Sequence, residues 1–103
     1  MKIFEVYKNF FYALDYVYDN YKNKELGNFL SEANPFLFND EGSADSCIYY
    51  EFKKIFLEDN KNEDISEKDV YNWIVKYINK LDNSIVKEAF SKISFEMWIN
   101  SLK

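Results

Sequence analysis

Residues 2–21 read KIFEVYKNFFYALDYVYDNY, and this stretch decides the fold class. At about 100° per residue, its apolar side chains fall on one arc of a helical wheel, and charged and amide side chains fill the opposite arc. The spacing predicts a long amphipathic helix with one wide buried face. The apolar arc consists of Ile3, Val6, Tyr7, Phe10, Phe11, Leu14, Val17, Tyr18 and Tyr21.

The rest of the chain repeats the helical spacing in shorter segments. Residues 24–33 predict a short helix, which ends at Asn34 because the residue before a proline avoids the α region. Further helices are predicted over about 44–58, over 66–81 and from about residue 85 onwards. Ser66 and Asp69 form a near capping box at the start of the 66–81 helix.

Composition favours one all-α domain. The 103 residues contain only 2 Gly and 1 Pro, too few for the turns of a sandwich or barrel, and the hydrophobic fraction of 48% is too high for disorder. We therefore expect an all-α, single-domain bundle of four to five helices over residues 1–103, with short connections that favour antiparallel neighbours.

Two features indicate possible contact surfaces on apolar or aromatic side chains. Tyr12 and Tyr16 lie one turn apart within the polar arc of the first helix, and tyrosine is enriched in protein interfaces. The last predicted helix carries a second apolar stripe, about 180° from its core stripe, which consists of Ile85, Val86, Ala89, Phe90, Ile93 and Met97. That helix either kinks near Ser94 and folds the stripe onto the core, or exposes the stripe as a dimer patch. The stripe consists of Phe95, Trp98, Ile99 and Leu102.

The loop over residues 34–43 carries three consecutive apolar side chains, Phe36, Leu37 and Phe38. We expect at least one of them to pack under the helices.

Charge is concentrated in the middle of the chain. The net charge is −5, and residues 40–69, with ten acids and four lysines, carry −6. Direct nucleic-acid binding is disfavoured, since such proteins present a basic surface. A basic protein partner fits better, because opposite charge steers association. The contact residues predicted from this region are Glu58, Asp59, Glu63 and Asp64.

The residue types restrict chemistry. The chain has no His and no Arg, so it lacks the usual acid–base side chain near neutral pH and any bidentate phosphate clamp. Cys47 has no His to serve as its base. We therefore expect no catalytic, cofactor or metal site. A single Cys, a charged N-terminal stretch and the absence of a long uncharged apolar run predict a cytoplasmic protein without a membrane segment.

Residues 34–38 (NPFLF), 42–45 (GSAD) and 49–52 (YYEF) are similar to small proteins of low-GC bacteria. Size, acidity and helical character also resemble the immunity proteins of bacterial toxin systems. The resemblance implies a protein that neutralises a cognate toxin, frequently a basic nuclease, by binding it. It assigns no contact residue.

Four classes of function follow. An inhibitor or immunity-type protein with a basic, toxin-like partner explains the acidic middle, the tyrosine pair and the missing catalytic groups. A structural or regulatory homodimer would use the C-terminal stripe. An acidic phage-type anti-defence protein or DNA mimic would display its carboxylates at phosphate-like spacing. An enzyme would need a buried carboxylate pair in a cleft.

Overall fold

The computed structural model describes residues 1–37, 41–61 and 63–101. These ranges contain six helices and no strand, so the predicted all-α class is confirmed. The count exceeds the expected four to five because the last predicted helix is interrupted after Phe90. None of the described helices is long and apolar enough to cross a membrane. The helices are α1 (Ile3–Tyr21), α2 (Lys24–Ala33), α3 (Ser46–Asp59), α4 (Glu67–Leu81), α5 (Ser84–Phe90) and α6 (Phe95–Ser101).

Side-chain caps position several helix starts. Asn23, Asp45 and Asn83 each accept a hydrogen bond from a backbone N–H in the first turn of α2, α3 and α5, respectively. At α4, Ser66 is the N-cap residue as predicted, but its hydroxyl donates to the Asp69 carboxylate at 2.8 Å. The capping box is wrong in detail, because the serine side chain makes no hydrogen bond to a backbone N–H of the helix.

An aromatic cluster forms the centre of the core. The Phe52 ring of α3 lies 4.9 Å from the Tyr7 ring of α1, 4.8 Å from Tyr77 and 5.2 Å from Trp73, between ring centroids. Such edge-to-face pairs stabilise a core beyond the area that they bury. The Tyr7 hydroxyl also donates to the Ala33 carbonyl at 2.7 Å, which fastens α1 to the end of α2.

The helices pack around α1 and α4. Helix α1 packs against α2, α3 and α5, whereas α4 packs against α3, α5 and α6. Helix α4 therefore packs on several sides, and its buried residues are Val70, Trp73, Ile74, Tyr77 and Ile78. Because α6 is held on α4, a groove remains between α6 and the solvent-facing side of α1.

Candidate protein-binding groove

Tyr12 and Tyr16 form one wall of this groove. Both side chains are 53% exposed, one turn apart on α1, so the exposure predicted from the helical wheel is confirmed. Among the described residues, neither hydroxyl has a hydrogen-bond partner. Ala13 lies between them in the groove and is buried, so the floor of the groove is shallow and apolar. Two amphipathic rings with free hydroxyls are thus held in place by a long helix.

The opposite wall comes from the C-terminal part of the chain. Ile93, Met97 and Asn100 line it, and the groove they form with α1 has a volume of about 400 Å³. Met97 is 37% exposed, and its flexible thioether can adapt to an incoming apolar side chain. The site is therefore mainly apolar, with the two phenol hydroxyls and the Asn100 amide as its polar groups.

Phe36 extends the aromatic surface beyond the groove. The Asn34 carboxamide accepts a hydrogen bond from the Phe36 backbone N–H at 2.8 Å, which fixes a turn after Pro35. The turn places the Phe36 ring 5.5 Å from the Tyr12 ring and 5.8 Å from the Phe11 ring, between centroids. The ring packs on the outer side of α1 and stays half exposed.

The other apolar residues of this loop are Leu37 and Phe38. Leu37 is exposed, and Phe38 lies outside the described residues. Neither Phe36 nor Leu37 is buried under the helices, and the expectation that at least one of the three packs there stays a prediction for Phe38. The loop adds to the aromatic surface instead.

Helix α6 does not display the predicted apolar stripe as one surface. Trp98 is buried, with its ring 5.9 Å from Phe90 and 6.3 Å from Tyr71. Ile99 is partly buried against the same core, and Phe95 remains about half exposed. The break near Ser94, one of the two alternatives drawn from the sequence, turns Trp98 and Ile99 of the stripe inward. Leu102 lies outside the described residues.

The break also reverses the expected role of Met97. On one continuous helix, Met97 would share the core face of Ile93. The chain turns after Phe90, and the Ser94 hydroxyl accepts a hydrogen bond from the Met97 backbone N–H at 3.1 Å in the first turn of α6. The new helix presents Met97 to the groove and Trp98 to the core.

Asp59 is occupied within the fold. Its carboxylate accepts a hydrogen bond from the Trp73 indole N–H at 2.9 Å and forms an ion pair with Lys80 at 3.1 Å. Desolvation acts to raise the pKa of Asp59, but the bonds from Lys80 and Trp73 outweigh it and hold the pKa below its usual range. A carboxylate that supports α3 against α4 has less charge to offer a partner.

Two of the other acidic candidates lie near the start of α1. Asp64 lies 2.6 Å from the Met1 amino group, and Glu63 lines a small cleft that also includes Phe4. The hydrogen bond from that amino group lowers the pKa of the Asp64 carboxyl. Glu58 is exposed at the end of α3. From Phe4 to Tyr12, α1 rises about 12 Å. The surface that carries Glu63 and Asp64 is therefore separate from the groove.

Acidic side chains also flank the tyrosines. Asp15 and Asp19 follow Tyr12 and Tyr16 by three residues, a spacing that makes neighbours on a helix surface. Partial burial raises the pKa of Asp15, and the nearby Asp19 carboxylate adds to the rise. Asp19 is exposed and lies 3.8 Å from the Lys22 ammonium, a weak surface pair. Negative charge therefore borders the aromatic ridge that Tyr12 and Tyr16 form.

Two described lysines that lie near the groove in sequence are engaged by aromatic rings. The Lys8 ammonium, one turn before Tyr12, lies 5.3 Å from the centroid of Phe4. The Lys92 ammonium, next to Ile93, lies 4.8 Å from the centroid of Tyr21. Cation–π contacts of this kind hold the positive charges over the protein's own rings.

The described residues contain no group of three or more His, Cys, Asp or Glu side chains placed to hold a metal ion. Cys47 is exposed at the start of α3. Comparison of the chain with known protein families, with curated proteins and with solved structures found no match. The groove and its charged surroundings are therefore the candidate functional site.

Proposed function

We propose that this chain is a non-catalytic protein-binding protein of the inhibitor or immunity type, which neutralises a basic protein partner. The observation that carries the proposal is the exposed aromatic ridge of Tyr12 and Tyr16 beside the apolar groove. Tyrosine supplies rigid contact area at low entropic cost and dominates many interface hot spots. Exposed rings whose hydroxyls have no partner within the described part of the chain are suited to this role.

Charge supports a basic partner. The net charge of −5, concentrated in residues 40–69, attracts a cationic surface and repels nucleic acid. Glu58 and Glu63 are exposed, so they are the steering charges of the predicted set. Asp59 and Asp64 already have cationic neighbours within the fold, and we assign them a smaller part.

The binding free energy that each tyrosine contributes can be estimated from its exposed area. A tyrosine side chain buries about 150–250 Å², so covering the exposed half of Tyr16 removes roughly 100 Å² from water. At about 25 cal/mol per Å², this contributes at most on the order of 2.5 kcal/mol to binding, or roughly 70-fold in affinity, because ordering the side chain on association offsets part of it. The Tyr12 ring adds a similar amount.

The test is capture from the host lysate with the tagged full chain as bait, at roughly 0.05 M and 0.5 M salt, which spans strong and weak screening. Wild type is compared with Tyr12→Ser/Tyr16→Ser, and with Tyr50→Ser as the matched control. Tyr50 is 67% exposed on α3 and does not line the groove. The same three baits are then titrated against the purified captured protein.

The proposal requires a basic protein that wild type and Tyr50→Ser retain, that the double variant loses, and that high salt releases. Addition of the chain must also suppress an activity of that protein. Retention by Tyr12→Ser/Tyr16→Ser, or binding that salt does not weaken, contradicts the proposal. Light scattering that shows a stable dimer lost in Met97→Glu would instead favour the homodimer.

A further inference from the structure

We infer that the groove between α1 and α6 receives an amphipathic helix of the partner, with apolar anchors along one stripe and Lys or Arg along its flanks. This inference rests on the proposed function and specifies the kind of segment that binds. The groove geometry, the area of the surface and the surrounding charge each point to this occupant.

The geometry of the groove matches a helix. Tyr12 and Tyr16 stand about 6 Å apart along α1, one helical turn, and Ala13 lies lower between them and the opposite wall. A second helix presents side chains at the same one-turn interval, so its ridge can enter the space over Ala13. The aliphatic wall of Ile93 and Met97 suits Leu, Ile or Met anchors at i, i+3 or i+4, and i+7.

Other modes of peptide recognition lack their structural requirement. Addition of a strand needs an open sheet edge, and the described part of the chain has no strand. Recognition of phosphorylated segments relies on arginine clusters, and the sequence contains no Arg. A polyproline segment remains the rival, since it binds aromatic-lined grooves. The aliphatic floor and wall, formed by Ala13, Ile93 and Met97, favour the helix.

A second copy of this chain is too weak an occupant. The exposed parts of Tyr12, Tyr16, Phe36 and Met97 together amount to on the order of 350 Å², using about 150–250 Å² for a whole aromatic side chain. A stable dimer buries about 800 Å² per copy, so more than half of its interface would have to come from polar surface of two acidic copies. Two copies would also bring together two net charges of −5. The apolar area corresponds to the anchor stripe of one helix, with the remaining contact polar.

The charges beside the groove determine the flanks of the incoming helix. Asp15 and Asp19 border the tyrosine ridge, and Glu96 is exposed next to Met97 on the opposite helix. The neighbouring Lys8 and Lys92 lie over the protein's own rings, and Lys22 makes only a weak, exposed pair with Asp19. Cationic side chains on both flanks of a bound helix therefore meet carboxylates, whereas acidic flanks are repelled.

The experiment is selection from a displayed random peptide library against the immobilised full chain. Peptides of about 16 residues make roughly four helical turns. Selected peptides are synthesised and titrated against wild type, Tyr12→Ser/Tyr16→Ser and the matched control Tyr50→Ser. Circular dichroism confirms that each variant is folded and reports the helix content of the peptide on binding.

We expect the selected sequences to share apolar residues at i, i+3 or i+4, and i+7, with Lys or Arg enriched between them. They should gain helix content on binding, lose at least about 100-fold in affinity for Tyr12→Ser/Tyr16→Ser, and bind Tyr50→Ser as they bind wild type. Selection of proline-rich or acidic sequences overturns the inference. Equal affinity for the double variant, or the absence of any groove-dependent peptide, overturns it as well.

The two proposals fail separately. If a native basic protein is captured through Tyr12 and Tyr16 but helical peptides do not bind, the helix inference is wrong and the proposed function stands. If helical peptides bind the groove but the lysate yields no groove-dependent basic protein, the proposed function is wrong.

Discussion

Replacement of Trp98 by alanine tests the folding-back of α6, on which the groove depends. Trp98 is 1% exposed and contacts the rings of Phe90 and Tyr71. Truncation of a buried aromatic side chain to alanine costs about 3–5 kcal/mol. Because α6 is a short helix that can relax, we expect the lower end, about 3 kcal/mol, or roughly 12–24 °C in Tm for a domain of this size.

Phe95→Ala is the matched control on the same helix. Its ring contacts Tyr71 at 5.6 Å between centroids but is 45% exposed, so about half as much apolar area is lost. We expect about 1–2 kcal/mol for this variant. If Trp98 instead belonged to an exposed stripe, the two substitutions would have similar, small effects.

The measurement is urea unfolding at 25 °C, followed by far-ultraviolet circular dichroism, because Trp98→Ala removes one of the two tryptophans. Slopes and midpoints are compared, since a change in slope would indicate a change in the unfolded state. A loss below about 1 kcal/mol for Trp98→Ala, or a loss no larger than that of Phe95→Ala, would refute the folding-back of α6.

Two further predictions concern titratable groups. Because the Asp59 pKa is lowered, the stability that this carboxylate contributes is present above the unfolded pKa near 3.9 and is lost as pH falls through the folded value. Asp59→Asn should weaken the pair with Lys80 and lower the free energy of unfolding, from urea midpoints, by about 1 kcal/mol at pH 7 but by less at about pH 3. The exposed control Glu58→Gln should change the stability at neither pH. Burial raises the pKa of Tyr49 to about 12 and raises that of Tyr77 as well. The stability that these neutral phenols contribute is therefore complete below about pH 10 and is lost as pH rises toward 12. Urea midpoints should fall over that range, less steeply in Tyr77→Phe, and a midpoint that does not change would contradict the burial of the two phenols.

The sequence predicts the first helices because their signals are local. Helix α1 was expected over residues 2–21 and spans Ile3–Tyr21, and α2 was expected over 24–33 and spans Lys24–Ala33. The helical spacing of apolar residues continues without a break, and Asn34 precedes a proline. These local signals determine the bounds of the two helices. The exposure of Tyr12 and Tyr16 follows from the same period, without knowledge of any other helix.

The C-terminal region shows where a helical wheel fails. A wheel assumes one continuous helix, and the turn after Phe90 changes the phase of every later side chain. The kink near Ser94 was available from sequence as an alternative, but the direction of the chain after it depends on contacts between Trp98 and rings distant in sequence. Met97 was therefore assigned to the core, although it lines the groove.

The groove could not be predicted from any single segment of the sequence, because its two walls come from α1 and from residues 93–100. Its second wall exists only while α6 is held on α4, and Trp98 is the buried side chain that holds it there. Stability and binding are thus coupled at Trp98 but separable at Tyr16. Trp98→Ala should lower both, whereas Tyr16→Ser should weaken partner binding with little loss of stability, since its side chain is exposed. A Tyr16→Ser variant that unfolded easily would mean that the tyrosine ridge supports the fold and is not reserved for a partner.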